Sequence, residues 1–171
     1  VTEPADLEAA EKTIRETCAS MLARASQERK FTRPHSGASP GEVHEAMLEV
    51  RTRLDSLEEM RATLLGLAAG ARAEVRQAEA EVQDAWDKLA DSQDGRQSIS
   101  GEFLGKEERY ARWNIRVLPL RRELRRLQRV ADLVAATEAQ VSTYYFGLRD
   151  LQGELKATMR YLEFESVLER L

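Results

Sequence analysis

From Val43 onward apolar residues recur alternately four and three places apart: Val43, Met47, Val50, Leu54, Leu57, Arg61, Leu64, Ala68, Ala71, Val75, Ala78, Val82, Ala85 and Leu89, with Arg61 the one interruption. A seven-residue repeat held over about six heptads puts a single apolar seam along a helix, and that seam must meet another helix. The second half of the seam is mostly Ala and Val, which lets backbones approach closely but buries less area per residue than Leu. Gly66 and Gly70 weaken its middle by about 1 kcal/mol each relative to Ala if exposed, so a close helix partner or a soft spot is expected there.

The start of this helix is written in Ser39-Pro40-Gly41-Glu42. Ser39 can cap, Pro40 fits the first helical position, and Glu42 stands where a capping-box acid reaches back. Before it, Phe31 to Ala38 contains Pro, Gly and Ser and reads as a connector. An earlier helix is predicted from about Asp6 to Arg29, where Leu7, Ala10, Ile14, Cys18 (or Thr17), Met21 and Ala25 form a thin stripe that needs a neighbour. Beyond Leu89, the polar segment from Asp91 to Gly101 is long enough to reverse the chain.

The return arm starts near Glu102 with a short helical piece through Ile115 and then meets Pro119, where a kink is expected. Leu120, Leu124, Leu127, Ala131, Val134, Val141, Tyr145, Leu148, Leu151, Leu155, Met159 and Leu162 then make a second long stripe, polar only near Glu138. The fold class is therefore all-α. The expected form is a long antiparallel helical hairpin or coiled coil (helix 39–91, turn 92–101, kinked return arm 102–171), preceded by a helix and connector over 1–38, and oligomeric.

Composition agrees, with 33% charged and 6% aromatic residues, the balance of a long-helix protein. A formal net charge of -4 and a pI near 5.4 argue against a generic polyanion binder while leaving room for a local basic patch. The single cysteine, Cys18, has no second thiol for an intrachain disulfide or a Cys-type zinc site, and is expected to act as a small apolar residue in a reducing compartment. No apolar run reaches 18 residues and the first residues are acidic, so no membrane span is expected and the cytoplasm is the expected location.

No phosphate-binding loop, dinucleotide fingerprint, nucleophile elbow or H-E-x-x-H is present. His35 falls in the connector and His44 near a helix start, with nothing at ligand or triad spacing around either. Neighbouring acids such as Glu58-Glu59 and Glu107-Glu108 point about 100° apart on a helix and read as a solvated face. No catalytic residue, metal or cofactor is therefore predicted.

One stretch stands out. Lys106, Arg109, Arg112, Arg116, Arg121, Arg122, Arg125, Arg126 and Arg129 face only Glu107, Glu108 and Glu123 between Lys106 and Arg129. That is a local charge of +6 in a chain of -4, so the remainder carries -10. Arg109, Arg112 and Arg116 share a helical face and are interleaved with Tyr110 and Trp113. Such a surface suits single-stranded nucleic acid, with Arg on phosphates and an aromatic ring stacked on a base. Alternatively, these cations pair with Glu74, Glu79, Glu81, Asp84 and Asp87 of the preceding helix while Trp113 covers the seam.

Thr143-Tyr144-Tyr145-Phe146 is a further aromatic cluster whose members spread around one helix, so at least one should be core and another exposed. The last helical stretch is apolar on more than one side, which points to burial between subunits; Tyr145, Leu148, Leu155, Met159, Leu162 and Phe164 are the candidate oligomer interface.

This layout resembles the UvsY family of phage recombination mediators. The residues that carry the resemblance are Lys88-Leu89-Ala90-Asp91 leading into Asp94-Gly95-Arg96 and Gly101-Glu102-Phe103, then Glu107-Glu108-Arg109-Tyr110, and the closing Leu155-Lys156 with Arg160 to Glu165. It covers roughly Gly41 to Glu165. What the resemblance implies is a small helical protein without enzymatic activity that assembles into rings, binds single-stranded DNA, and helps a RecA-like recombinase displace single-strand-binding protein. If the chain is a phage protein, the bacterial host cytoplasm is where it would act. The extra helix from Asp6 to Arg29 and an Arg-rich rather than Lys-rich return arm depart from the family pattern.

Overall fold

The computed structural model describes residues 4–91 and 105–168, with side chains described over 8–89 and 105–168. The described residues form three helices and no strand: α1 (Pro4–Glu28), α2 (Pro40–Asp91) and α3 (Lys106–Leu168). No helix among them is long and apolar enough to cross a membrane. The reversal expected over 92–101, and the start of the return arm at Glu102, lie outside the described residues.

The start of α2 is the capping box the sequence spells out. The Ser39 backbone N–H donates to Glu42 Oε2 at 2.7 Å, and the Glu42 N–H donates back to Ser39 Oγ at 3.3 Å. These bonds satisfy two amides that a helix start otherwise leaves open. They also hold the Glu42 carboxyl below its ordinary pKa, first through the Ser39 backbone N–H and then through its hydroxyl. Just upstream, Ala38 N–H closes a turn on His35 O at 3.1 Å, and Gly37 in that turn has φ 101°. An L side chain there would be strained.

The chain divides into two compact units, Val1–Gly66 with Leu133–Leu171, and Leu67–Asp132. In the first unit the core contains Cys18 and Ala25 of α1, Val43, Val50, Leu54, Leu57 and Leu64 of α2, and Val134, Val141, Leu148, Leu151 and Leu155 of α3. Burying Leu57 and Leu64 completely, both 0% exposed, contributes about 1.5–3 kcal/mol each. Alongside the seam, Ala46 and Met60 form a second buried row on α2. It belongs to the side where α1 packs, for Arg24 Nη2 donates to Ser56 Oγ and Ser56 Oγ to Glu28 Oε1. The thin stripe of α1 has thus found its neighbour. Arg53 of α2 donates to the carbonyls of Glu28 (3.0 Å) and Gln27 (3.3 Å), placing a cation on the end of a helix whose last turn has no basic residue of its own.

The two interruptions of the long stripes meet each other. Arg61, the break in the α2 seam, donates from Nε to Ser142 Oγ at 2.8 Å, and Ser142 Oγ donates to Glu138 Oε1 at 2.6 Å. The guanidinium lies over the rings of Tyr145 and Phe146, 4.7 and 5.2 Å from their centroids. Thr137, one residue from Glu138, is buried and donates to Leu133 O at 2.8 Å. A polar layer of this kind favours one alignment of two helices over its neighbours, since any slip leaves these groups against apolar side chains.

In the second unit the α2 seam continues as Ala68, Ala71 and Ala78, and α3 contributes Val117 and Val130. The glycines in mid-α2 have a plainer role than a close approach. A Cβ on Gly66 or Gly70 would meet no atom within 4 Å, because both fall on the open side of the helix.

At Pro119, where a kink is expected, α3 is helical on both sides and through it, so the helical piece expected to run only through Ile115 continues. Proline costs a helix interior about 3 kcal/mol, chiefly the bond to the carbonyl four residues back. That carbonyl belongs to Ile115, and Ile115, Leu118 and Pro119 are all exposed, so the gap faces water. Buried Val117 and half-buried Leu120, Leu124 and Leu127 keep helical spacing across the proline.

Candidate nucleic-acid interface

The first half of α3 carries the basic stretch. Its N-terminus is held by Gly105, whose carbonyl accepts the Arg109 N–H at 3.1 Å and whose own N–H donates to Glu108 Oε2 at 3.3 Å. Along the helix Lys106, Arg112, Arg116, Arg122, Arg125 and Arg129 are exposed, whereas Arg109, Arg121 and Arg126 are half-buried.

The half-buried arginines include two with clear structural work. Arg121 lies over the Trp86 ring at 5.1 Å and donates to Asn114 Oδ1 at 2.9 Å. Arg126 sits 3.8 Å from Glu123 on its own helix. None of the six exposed cations makes an ion pair or hydrogen bond with another described residue.

The acids of α2 that could have neutralised them are occupied elsewhere or point elsewhere. Glu81 accepts from Gln77, Asp87 from Gln83, and Asp84 pairs with Lys88, all one turn away on α2. Glu74 and Glu79 are exposed and make no ion pair with α3 among the described residues. Among the described residues, internal pairing of the six exposed cations is therefore not how this helix is held. Leaving them in water costs no desolvation, whereas surface pairing would have contributed little, about 0–1 kcal/mol per pair.

The aromatics behave differently from the arginines. Trp113 packs edge-on against Trp86 at 5.9 Å and Tyr110 at 5.6 Å, and Trp86 and Tyr110 lie 6.4 Å apart. Trp113 is half-buried, with its Nε1 shielded from solvent and without a hydrogen-bond partner among the described residues. Its ring is engaged by Trp86 of α2 and Tyr110 of its own helix. Tyr110, 47% exposed, retains an open ring. Trp86 is the member that sequence reasoning missed, and the available signal was an adjacent seam of alanines too small to fill the space beside two large rings.

Residues proposed for an oligomer interface separate into two groups. Leu148 and Leu155 are buried in the chain's own core, and Tyr145 is half-buried beneath Arg61. Met159 and Leu162 are half-buried, and Leu162 lines a cleft of about 500 Å³ with Val43, Leu151 and Leu155. Phe164 is 61% exposed and continues a row with Tyr161 and Leu168, also exposed. His35 and His44 are exposed. Neither a protein-family model, nor a curated protein, nor a solved structure matches this chain.

Proposed function

We propose that this chain is a non-catalytic helical protein that binds single-stranded DNA along the outer side of α3, and that it serves, as the resemblance to UvsY-type mediators implies, to help a RecA-like recombinase displace single-strand-binding protein. The observation that carries the reading is that Arg112, Arg116, Arg122, Arg125 and Arg129 are exposed and make no ion pair or hydrogen bond with another described residue, because a helix gains nothing in stability from such a set of cations. Tyr110 supplies a ring for one base, while Trp113 and Trp86 hold that ring in place. The same reading takes α2 and α3 as the arms of an antiparallel hairpin and the working form as a homo-oligomer.

Fluorescence anisotropy of a labelled single-stranded oligonucleotide tests it. Five neutralised phosphates on a single strand correspond to a log-log salt slope of about -3.5. Arg112→Glu, Arg116→Glu and Arg122→Glu together should abolish binding with helicity unchanged. Binding that survives this triple change, or no binding at low salt, overturns the proposal.

A second reading, a structural coiled-coil scaffold or assembly factor that binds protein alone, is favoured by the mutual packing of the three aromatics and by the exposed Tyr161, Phe164 and Leu168. It predicts no salt-sensitive oligonucleotide binding.

A further inference from the structure

The exposed arginines share their face of α3 with two apolar residues that water should disfavour. Ile115 is 69% exposed and Leu118 39%. With Arg122, Arg125 and Arg129 they form one row at spacings of three, four, three and four, the repeat that keeps a row on one side of a helix over about 21 Å. The basic end of this row is fitted to an acidic row, and Leu118 to an exposed aliphatic on it.

This chain contains such a row on the open side of α2, in the other compact unit. Glu45, Leu48, Thr52, Asp55 and Glu59 repeat the same spacing, and Leu48 is 52% exposed. The Glu45, Asp55 and Glu59 carboxylates are exposed and make no ion pair or hydrogen bond with a described residue. Side by side and parallel, the two rows put Leu118 against Leu48, Arg125 against Asp55 and Arg129 against Glu59, with Ile115 beside Glu45 and Arg122 beside Thr52. Glu58 reinforces the acidic side, with Arg51 opposing it, while Arg53 is already taken up by Glu49. The other exposed leucine of α2 discriminates against a generic match: the equivalent row through Leu65 carries Arg72 and Arg76 where Asp55 and Glu59 stand, so it would be repelled.

We propose that the outer face of α3 from Ile115 to Arg129 is a docking surface for a second copy of this chain, which presents its α2 face from Glu45 to Glu59. The contact is heterologous, since each copy carries one of each surface, and successive copies add head to tail into a ring or a filament. Because the second copy covers Arg122, Arg125 and Arg129 and leaves Arg112 and Arg116 open, association through this face and single-stranded DNA exclude each other only at the shared arginines. That exclusion rests on the nucleic-acid reading above; the docking itself does not.

The test is sedimentation velocity of the full chain at low salt, with and without a single-stranded oligonucleotide. Wild type should associate, and the association should weaken as salt rises because the pairs are exposed. Asp55→Lys with Glu59→Lys changes two solvated side chains and should weaken association at least about tenfold without altering circular dichroism. Arg125→Glu with Arg129→Glu should do the same, and mixing the two double variants should restore association, since each then presents a face complementary to the other. Wild type that stays monomeric, variants that associate like wild type, or a mixture that fails to associate would each overturn the docking. The Asp55/Glu59 variant keeps every arginine, so its oligonucleotide binding tests the nucleic-acid reading separately. Docking intact with no oligonucleotide binding would remove only the exclusion.

Discussion

Replacing Arg61 probes the polar layer in the first unit directly. Arg61→Ala removes the Nε donor to Ser142 and the cation over Tyr145 and Phe146, while Ser142 keeps its bond to Glu138. A hydrogen bond from a charged donor is worth about 1.5–3 kcal/mol net, and a half-exposed cation–π contact about 0.5–1 kcal/mol. Arg61 is half-buried and water recovers part of these terms, so the expected loss is about 2–3 kcal/mol. For a chain of this length each kcal/mol corresponds to about 2–4 °C, and Tm should fall by about 4–12 °C. Urea denaturation followed by circular dichroism supplies the free energy if m is unchanged. A double-mutant cycle with Tyr145→Leu should return a coupling of about 0.5–1 kcal/mol. Arg61→Leu, which completes the heptad, should lie within about 1 kcal/mol of wild type because gained burial offsets the lost contacts. A loss below about 0.5 kcal/mol for Arg61→Ala, or a coupling near zero, would refute the claim that these contacts stabilise the fold.

Gly66→Ala and Gly70→Ala should each stabilise by about 0.5–1 kcal/mol in the same denaturation assay, because the positions are helical, exposed and open around the added Cβ. Ser39→Ala should cost about 1 kcal/mol through the lost cap. The Glu42 carboxyl, held below its ordinary value, contributes stability that is complete above the unfolded carboxylate range and is lost as pH falls through the depressed value; Glu42→Gln should flatten that part of a stability–pH curve. Trp113→Ala should destabilise by about 2–4 kcal/mol by emptying the aromatic cluster, yet leave the salt slope of oligonucleotide binding unchanged, whereas a ring used for stacking would alter affinity without such a stability loss.

The helices were legible because their signals are local and redundant. Ser39 to Glu42 announces a helix start within four residues, and the recurrence of Val43, Val50, Leu57 and Leu64 predicts the buried row that the first unit contains. Two places resisted for physical reasons. Pro119 argued for a helical piece ending near Ile115, but a single missing bond on a water-facing carbonyl is small beside the apolar row that continues through Val117, Leu120, Leu124 and Leu127. Arg61 and Glu138 each looked like a lapse in its own stripe, and their meaning lies in the pairing through Ser142, 81 positions from Arg61 in sequence, which neither helix discloses by itself.

The candidate site was legible in charge and not in aromatic role. Counting cations between Lys106 and Arg129 is enough to find the surface, since six of the nine are exposed. Whether a ring stacks on a ligand or on another ring depends on what faces it, and Trp86 comes from a different helix. The seven-residue repeat carries a further consequence. A helix that repeats every seven residues writes an outer row with the same period as its inner one: on α3 the inner row runs Val117, Leu120, Leu124, Leu127, Ala131 and Val134, all buried or half-buried, and the outer row runs Ile115, Leu118, Arg122, Arg125, Arg129. Burial selects the inner row during folding, and the outer row is under no such demand. Two exposed aliphatics followed by three arginines that make no ion pair among the described residues therefore owe nothing to the stability of the single chain, and the docking proposed above would set Leu118 and two of the arginines against apolar and charged counterparts.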